Sequence, residues 1–451
     1  MMLIPVPCPS FPPFTDPALY DSQSVDLQFA EQVVHRLVSA GHTAYFAGGC
    51  VRDALLGMEP HDFDVATSAT TDEVRAVFGA GNTRAVGEAF GVVLVHQRIR
   101  GRTCQVEVAS FRTDGSYSDG RRPDWVALAT PEEDASRRDF TINGLFYDPI
   151  AKRVIDFVGG QEDLKRRVLR SIGVAADRFR EDKLRLLRAV RFAGRFGFEL
   201  DADTQRAIEQ GSHEIVVVSG ERIGVELRKI LEHPSRAWAW AKLIETGLTE
   251  YLLPELHHRW GSHGDRHHDL RVLQALAASR TDWISSIAAI VLPWAIDHHS
   301  QDAVEDLLDA LKERWKMSND EVDALAFAIR HCETLVSASY RPWSEVQPLL
   351  ISRFAGPALD VAEAMAQAYS RELLGVQMCR ERRQWPSNQL NPAPMLRGDD
   401  LRERGLKPGP LFAELLAQAR SLQLDGHLRD RDAALEWLQE AIRQRSEARG
   451  S

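Results

Sequence analysis

The stretch GGCVRDALLGMEPHDFDVAT, residues 48–67, places two aspartates just downstream of a paired glycine. Asp62 and Asp64 stand one residue apart in HDFDVAT. On a strand, side chains at i and i+2 project from one face, so two like charges meet there and call for a cation. Hard carboxylate oxygens suit a divalent metal whose shell a substrate phosphate completes. Alone, such a pair is more commonly a solvated surface feature. Gly48 and Gly49 add to it, because a glycine turn opening a helix offers backbone N–H groups to a phosphate and lets it approach closely. Arg52, in the first helical turn, can add a charge-assisted contact. Phosphate cradle and metal carboxylates together are the parts of phosphoryl or nucleotidyl transfer. Glu107 in QVEVAS is a third candidate carboxylate. Facing inward between valines it needs a partner, which a metal supplies; facing outward it is an ordinary residue of a half-exposed strand.

A second constellation lies in EDKLR. Asp182 and Arg185 are three apart, so on a helix they share a face and set an acceptor beside a donor fork. Adenine and cytosine present an amino donor next to a ring-nitrogen acceptor, which matches. Uracil and guanine present the reverse order, and a site built to hydrogen-bond rejects such analogues because its polar groups go unpaired. The alternative is an intrahelical ion pair contributing about 0.2–0.5 kcal/mol. Arg188 and Arg191 continue the same face. Three stacked arginines repel unless an anion lies against them, and a triphosphate fits.

The elements that must hold these groups can be read from periodicity. Residues 25–40 have helical spacing ended by Gly41, TAYFAGG is a strand entering a turn, VRDALLG a short helix, HDFDVAT a strand, and 71–79 a helix. GVVLVHQRI and RTCQVEVASFR alternate as a strand pair turning at Arg100-Gly101. After Phe157-Val158 strand signals fade and helical periods continue to the end, interrupted near 233–234, 254, 293, 341–342 and 386–410. The fold class is therefore α+β: an α/β head followed by an all-helical remainder.

Bulk properties agree. The 451 residues are 44% hydrophobic and 27% charged with a net charge of −10, which excludes a uniformly basic nucleic-acid binder. Basic residues nonetheless crowd between Lys165 and Arg195, either as a stripe for a polyanion or as a solvated helix face. No apolar run approaches the roughly 18 residues of a membrane span; the longest, 284–296, carries serines and is broken by Pro293. The proline-laden start, residues 1–24, reads as a loose arm rather than a signal peptide. Cys8, Cys50, Cys104, Cys332 and Cys379 include no CxxC pair, as expected of free thiols in a reducing cytoplasm.

The ordered motifs carry a family likeness. GGCVRDALLG with DFDVAT resembles the signature of the tRNA nucleotidyltransferase/poly(A) polymerase family, the class II CCA-adding enzymes. SYSDGRRPDWV resembles its flexible loop, EEDASRRDFTINGLFYDP its ribose-recognising motif with Gly144 where alanine is usual, and FVGGQEDLKRRVLR the opening of its helical neck. REDKLRLLRAVRFAGRFGF resembles the base-recognition helix, ERIGVELRKIL the helical motif after it, and LRGDDLRERGLKPGPLFAELL continues the likeness more weakly. The resemblance implies a polymerase beta-like nucleotidyltransferase head at 25–160, a neck at 161–232, a body at 233–385 and a tRNA-binding tail at 386–451. It implies Mg2+ on Asp62 and Asp64, Arg138 on the nucleotide, Asp139 near its ribose, and base reading by Asp182 and Arg185. The partners it implies are the tRNA acceptor end, ATP and CTP, with no membrane.

Within the family, the retained loop TDGSYSDGRRPD disfavours CC-only addition, and TRAVGEAFGVVLVHQ lacks the basic segment of bacterial poly(A) polymerases. CCA and A-only addition stay open. Poly(A) synthesis and a catalytically inactive RNA-binding relative are the competing readings; Asp62, Asp64 and Arg52 are all present. Pro293-Trp294 occupies the place of the His-Asp pair that many relatives carry, so no phosphohydrolase activity is expected. His257, His258, His263, His267 and His268 read as a polar surface loop rather than a metal site.

Overall fold

The computed structural model describes residues 24–60, 62–86, 91–115, 123–257, 266–277, 279, 282–298 and 300–450. The N-terminal arm 1–23, the loop segment 116–122 and the histidine-rich segment 258–265 lie outside the described residues. The chain forms two compact units, one ending at His257 and one beginning at His258.

In the first unit, helix α1 (Val25–Ser39) is capped by Ser24, whose hydroxyl accepts from the Leu27 amide at 3.1 Å. Gly41 follows in the left-handed region, φ +93°, and stops it as expected. Next come β1 (Ala44–Ala47), α2 (Gly49–Leu55), β2 (Asp64–Thr67), α3 (Thr71–Phe78), β3 (Thr83–Ala85), β4 (Val92–Ile99) and β5 (Arg102–Ser110). Short strands β6 (Arg112–Asp114) and β7 (Val126–Leu128) pair with each other, and α4 (Pro131–Ser136) leads to β8 (Leu145–Asp148) and β9 (Arg153–Asp156). Seven strands make one sheet in the order β3-β4-β5-β2-β1-β8-β9. The β4–β5 hairpin turns at Arg100 and Gly101 with φ of +50° and +83°, the double left-handed geometry a tight hairpin favours. The β2–β5 pair is parallel and aligns Asp64 with Glu107.

Helices α5 (Gly160–Arg166), α6 (Ala175–Glu181), α7 (Arg185–Phe196), α8 (Ala202–Gly211), α9 (Gly220–Leu231), α10 (Arg236–Glu245) and α11 (Thr249–Leu252) complete the unit, with a two-residue pairing of β10 (Val168–Leu169) and β11 (Glu199–Leu200). Ala47, Ala66, Phe111, Ala135 and Phe146 form a core beside the sheet, with Phe111 and Phe146 edge-to-face at 5.9 Å. A methyl on Gly144 would meet Val158 Cγ2 at 2.7 Å, so its surroundings in this chain suit glycine. Gly160 is tighter still: a Cβ there would stand 2.2 Å from the Thr141 carbonyl oxygen. Gly160→Ala should therefore cost about 1–3 kcal/mol through overpacking, read as a lower urea midpoint, whereas Gly81→Ala, with nothing within 4 Å, should leave it unchanged.

The second unit is helical: Arg266–Ala275, Trp283–His298, Gln301–Trp315, Asn319–Val336, Trp343–Leu350, Ala355–Ala368 and Leu374–Arg382, then Ser387–Leu390, Gly398–Arg402, Pro410–Leu424 and Arg431–Gly450. The expected break at Pro293 does not occur; the helix runs through it. Ile287, Ala288, Ile290, Val291, Leu292 and Trp294 are all buried, and that packing outweighs the one lost backbone hydrogen bond. No helix among the described residues is long and apolar enough to cross a membrane. The last helices share their own apolar cluster, centred on Leu401, Leu415 and Leu438.

Candidate active site

Asp64 opens β2, the central strand of the sheet, and Glu107 lies directly beside it on β5. The ordered strand begins at Asp64, so Asp62 lies before it, but the alternation extends back: Asp62 and Asp64 are exposed while Phe63 and Val65 are buried. Glu107 is likewise exposed between buried Val106 and Val108, so the inward reading of that residue is corrected. Alternation along β5 turns it to the face that also carries Asp64. Lost hydration, then repulsion from Glu107, push the Asp64 carboxyl up to about 6; Arg138 pulls the other way and Asp62 adds a smaller push. Crowded carboxylates of this kind are what a divalent cation relieves. Among the described residues no three acidic, histidine or cysteine side chains form a ready-made cage. A cation on Asp62 and Asp64 would therefore take the rest of its shell from substrate and water.

Asp64 also lines an open cleft of about 510 Å³ with Gly48, Gly49, Arg52, Arg137, Arg138, Asp139, Asn143, Asp182, Leu184, Arg185, Arg188, Phe192 and Arg222. A larger cavity of about 750 Å³ lies in the second unit, but its lining of Leu292, Ile296, Val304 and Met365 is mainly apolar and holds none of these groups. Gly48 turns at φ +70°, and a methyl there would stand 2.8 Å from Arg138 Nη1. Its own amide donates to the Leu145 carbonyl at 2.9 Å, so the cradle's open donors begin at Gly49, the first residue of α2.

Arg52 is not a free phosphate ligand. Only 5% exposed, it donates from Nε to Asp53 at 2.7 Å and from Nη1 to Asn143, and its guanidinium lies 4.6 Å from the centre of the Phe196 ring. It braces the glycine turn against α7. From Asn143 the network continues: Nδ2 donates to Asp139 Oδ1 at 2.9 Å, and Asp139 Oδ2 accepts from both Nε and Nη2 of Arg188. Burial alone would raise the Asp139 carboxyl, but the Arg188 charge and the Asn143 and Arg188 hydrogen bonds override it and hold it at about 2.

That depressed value stabilises the fold at every pH above the unfolded carboxylate range, near 3.9, and the contribution disappears as pH falls towards 2. The wild type should exceed Asp139→Asn by about 2 kcal/mol at pH 7 through this group, with the gap shrinking from about pH 5 downward. Urea titrations at pH 7 and pH 3 check it; a gap that holds constant contradicts it.

Asp182 and Arg185 both line the cleft, but not on one helix. Asp182 ends α6 in an extended conformation, φ −144° and ψ 106°, and Arg185 is the first residue of α7. The shared helical face is therefore corrected: the chain breaks between them, because Asp182 Oδ1 accepts from the Leu184 amide at 3.1 Å and starts α7 anew. The intrahelical ion pair is also absent. Asp182 pairs with Arg222 of α9 at 2.8 Å, and Arg185 with Glu181 at 2.6 Å.

The stacked arginines need no triphosphate to be partnered, since each meets a carboxylate: Glu181, shared with Arg178, for Arg185, Asp139 for Arg188, and Glu226, shared with Lys229, for Arg191. Arg191 turns to Glu226 and lies 4.0 Å over the Phe192 ring, outside the set that lines the cleft. Arg138 donates to Asp134 from Nε and Nη2 at 3.2 and 2.9 Å, beside Gly48. Of the twelve residues singled out from sequence, Asp62, Glu107 and Arg191 are thus the ones that do not line the cleft. Sequence reasoning missed Asn143, Arg137 and Arg222. Asn143 and Arg137 fall inside RRDFTIN, and Arg222 inside ERIGVE, so each lay in a stretch already singled out.

Carboxylates on neighbouring inner strands, a glycine turn and an arginine-rich cleft walled by helices define a nucleotidyltransferase. Residues 44–170 match the poly A polymerase head domain, and residues 197–259 match the probable RNA and SrmB-binding site of polymerase A. A CCA-adding enzyme of Geobacillus stearothermophilus is 35% identical over 424 residues, covering 93% of this chain and 98% of that protein. That of Lactiplantibacillus plantarum is 32% identical over 395 residues, 87% of this chain and 90% of the other. The crystal structure of the Bacillus stearothermophilus CCA-adding enzyme in complex with CTP matches with a TM-score of 0.71 at 31% identity, covering 94% of this chain and 100% of that one. The chain belongs to the tRNA nucleotidyltransferase/poly(A) polymerase family.

Proposed function

We propose that this chain adds CCA to the 3′ ends of tRNA without a nucleic-acid template, using CTP and ATP with Mg2+ on Asp62 and Asp64. The observation that carries the reading is one cleft holding Asp64, the Gly48-Gly49 turn, and the Asp182 and Arg185 pair. Asp182 would accept from the amino group of C or A, and Arg185 would donate to the adjacent ring nitrogen. Gly49 and Arg138 would meet the triphosphate, and Arg188, held by Asp139, would stand between base and phosphates. Mg2+, when bound, would offset the triphosphate charge and favour ionisation of the attacking 3′-hydroxyl. The relatives at 32% and 35% identity are CCA-adding enzymes over nearly their whole length, which favours CCA over A-only addition and over poly(A) synthesis.

The last helices, 386–451, hold the tRNA in this reading, and the cytoplasm is the place of action, in keeping with four described cysteines that are all free. The test uses three tRNA transcripts, ending at the discriminator base, after two cytidines, or complete, each with labelled CTP or ATP. The first should take up C, the second A, and the third neither. Uptake of A on all three would replace CCA addition with poly(A) synthesis.

A further inference from the structure

Building on that reading of the cleft, we infer that Arg222 is a specificity-determining positioning residue: it holds the Asp182 carboxylate away from Arg185, so that both stay open to the base. An acceptor and a donor fork three residues apart complement each other as well as a base edge. Opposite charges lining one cleft attract each other, and an ion pair between them would silence both readers at once. Here no ion pair joins them, because each is held by a third group.

Oδ2 of Asp182 accepts from Arg222 Nη2 at 2.8 Å, and Oδ1 accepts from the Leu184 amide at 3.1 Å. With both oxygens engaged the carboxylate plane is fixed, yet each oxygen keeps a lone pair for an amino group. Arg185 is held the other way: its Nη1 donates to Glu181 Oε2 at 2.6 Å and to the Arg178 carbonyl at 2.9 Å. Glu181 is in turn clamped by Arg178 Nη1 at 2.8 and 2.9 Å. Nε and Nη2 of Arg185 have no partner among the described residues, and the side chain lines the cleft. Glu181 and Arg178 are local to α6, whereas Arg222 reaches in from α9 and itself lines the cleft. The acceptor's geometry thus depends on a helix remote in sequence.

Removing Arg222 frees Oδ2, and the Asp182 carboxylate can rotate toward Arg185. In Arg222→Ala, kcat/KM for ATP and CTP should fall together by about tenfold, the scale of one charge-assisted hydrogen bond. The UTP-to-CTP and GTP-to-ATP ratios should rise toward those of Asp182→Ala. Inhibition by inorganic triphosphate should be unchanged, since that probe carries no base. Arg222→Lys keeps a cation in reach of the carboxylate and should retain most of the discrimination; it also serves if the alanine variant fails to fold, as thermal unfolding will show. Ratios in Arg222→Ala equal to wild type while Asp182→Ala shifts them would overturn the inference and leave the base-reading site intact. Equal losses in the lysine and alanine variants would also overturn it. If Asp182→Ala itself shifts no ratio, the base-reading site fails first and the inference falls with it.

Discussion

Asp64→Ala should lower nucleotide transfer by about a thousandfold or more while the protein stays folded. Metal-assisted charge stabilisation is worth several kcal/mol, and each ~1.4 kcal/mol of barrier is a factor of ten. The stability half of the prediction comes from the structure. Asp64 keeps contact with water, enters no ion pair with a described residue, and is pushed up to about 6 by lost hydration and by Glu107. A group whose ionised form is disfavoured in the fold does not hold the fold together, and its removal relieves Glu107. The urea midpoint should be equal to or above that of wild type, with tRNA affinity by filter binding unchanged. Retained turnover would remove Asp64 from the chemistry; a collapse of the fold would make it structural.

Asp182→Ala should change which nucleotides are used more than whether any are. Loss of the acceptor costs ATP and CTP one hydrogen bond to a charged group, about 1.5–3 kcal/mol or roughly 10- to 150-fold in kcat/KM. UTP and GTP should gain relative to them, because their carbonyls no longer face a carboxylate. The variant also leaves Arg222 without its 2.8 Å partner, a donor where the acceptor stood, which favours those carbonyls further. Arg188→Ala, by contrast, should weaken all four nucleotides alike, since its contacts run to Asp139 rather than to the base readers.

How much of this could be read from the chain alone follows the range of the interactions. Elements set by local periodicity and turn chemistry were legible: α1 and its glycine stop, β1, β2 and the hairpin at Arg100-Gly101. Nine residues that line the cleft are legible too, because they fall within short motifs, whereas Arg137, Asn143 and Arg222 are not. Two features leave no such signal. The spacing of Asp182 and Arg185 fits one helix, but an aspartate accepting from the amide two residues on starts a helix as readily as it sits inside one. Arg52, Arg188 and Arg191 look like free cations in the sequence because their partners come from distant segments: Asn143 for Arg52, Asp139 for Arg188, Glu226 for Arg191. Pairing across 35 to 91 residues leaves no periodic trace. Pro293 shows the same limit, since burial on every side keeps a helix that local propensity would end.

In the proposed function this protein's own side chains choose C, C and then A. The most direct measurement supplies a tRNA ending at the discriminator base with all four nucleoside triphosphates at equal concentration and sequences the product 3′ ends. Products ending in CCA, with no further extension, are the expected result. Ends bearing a single A, a run of A, or U and G in proportion to their supply would contradict it.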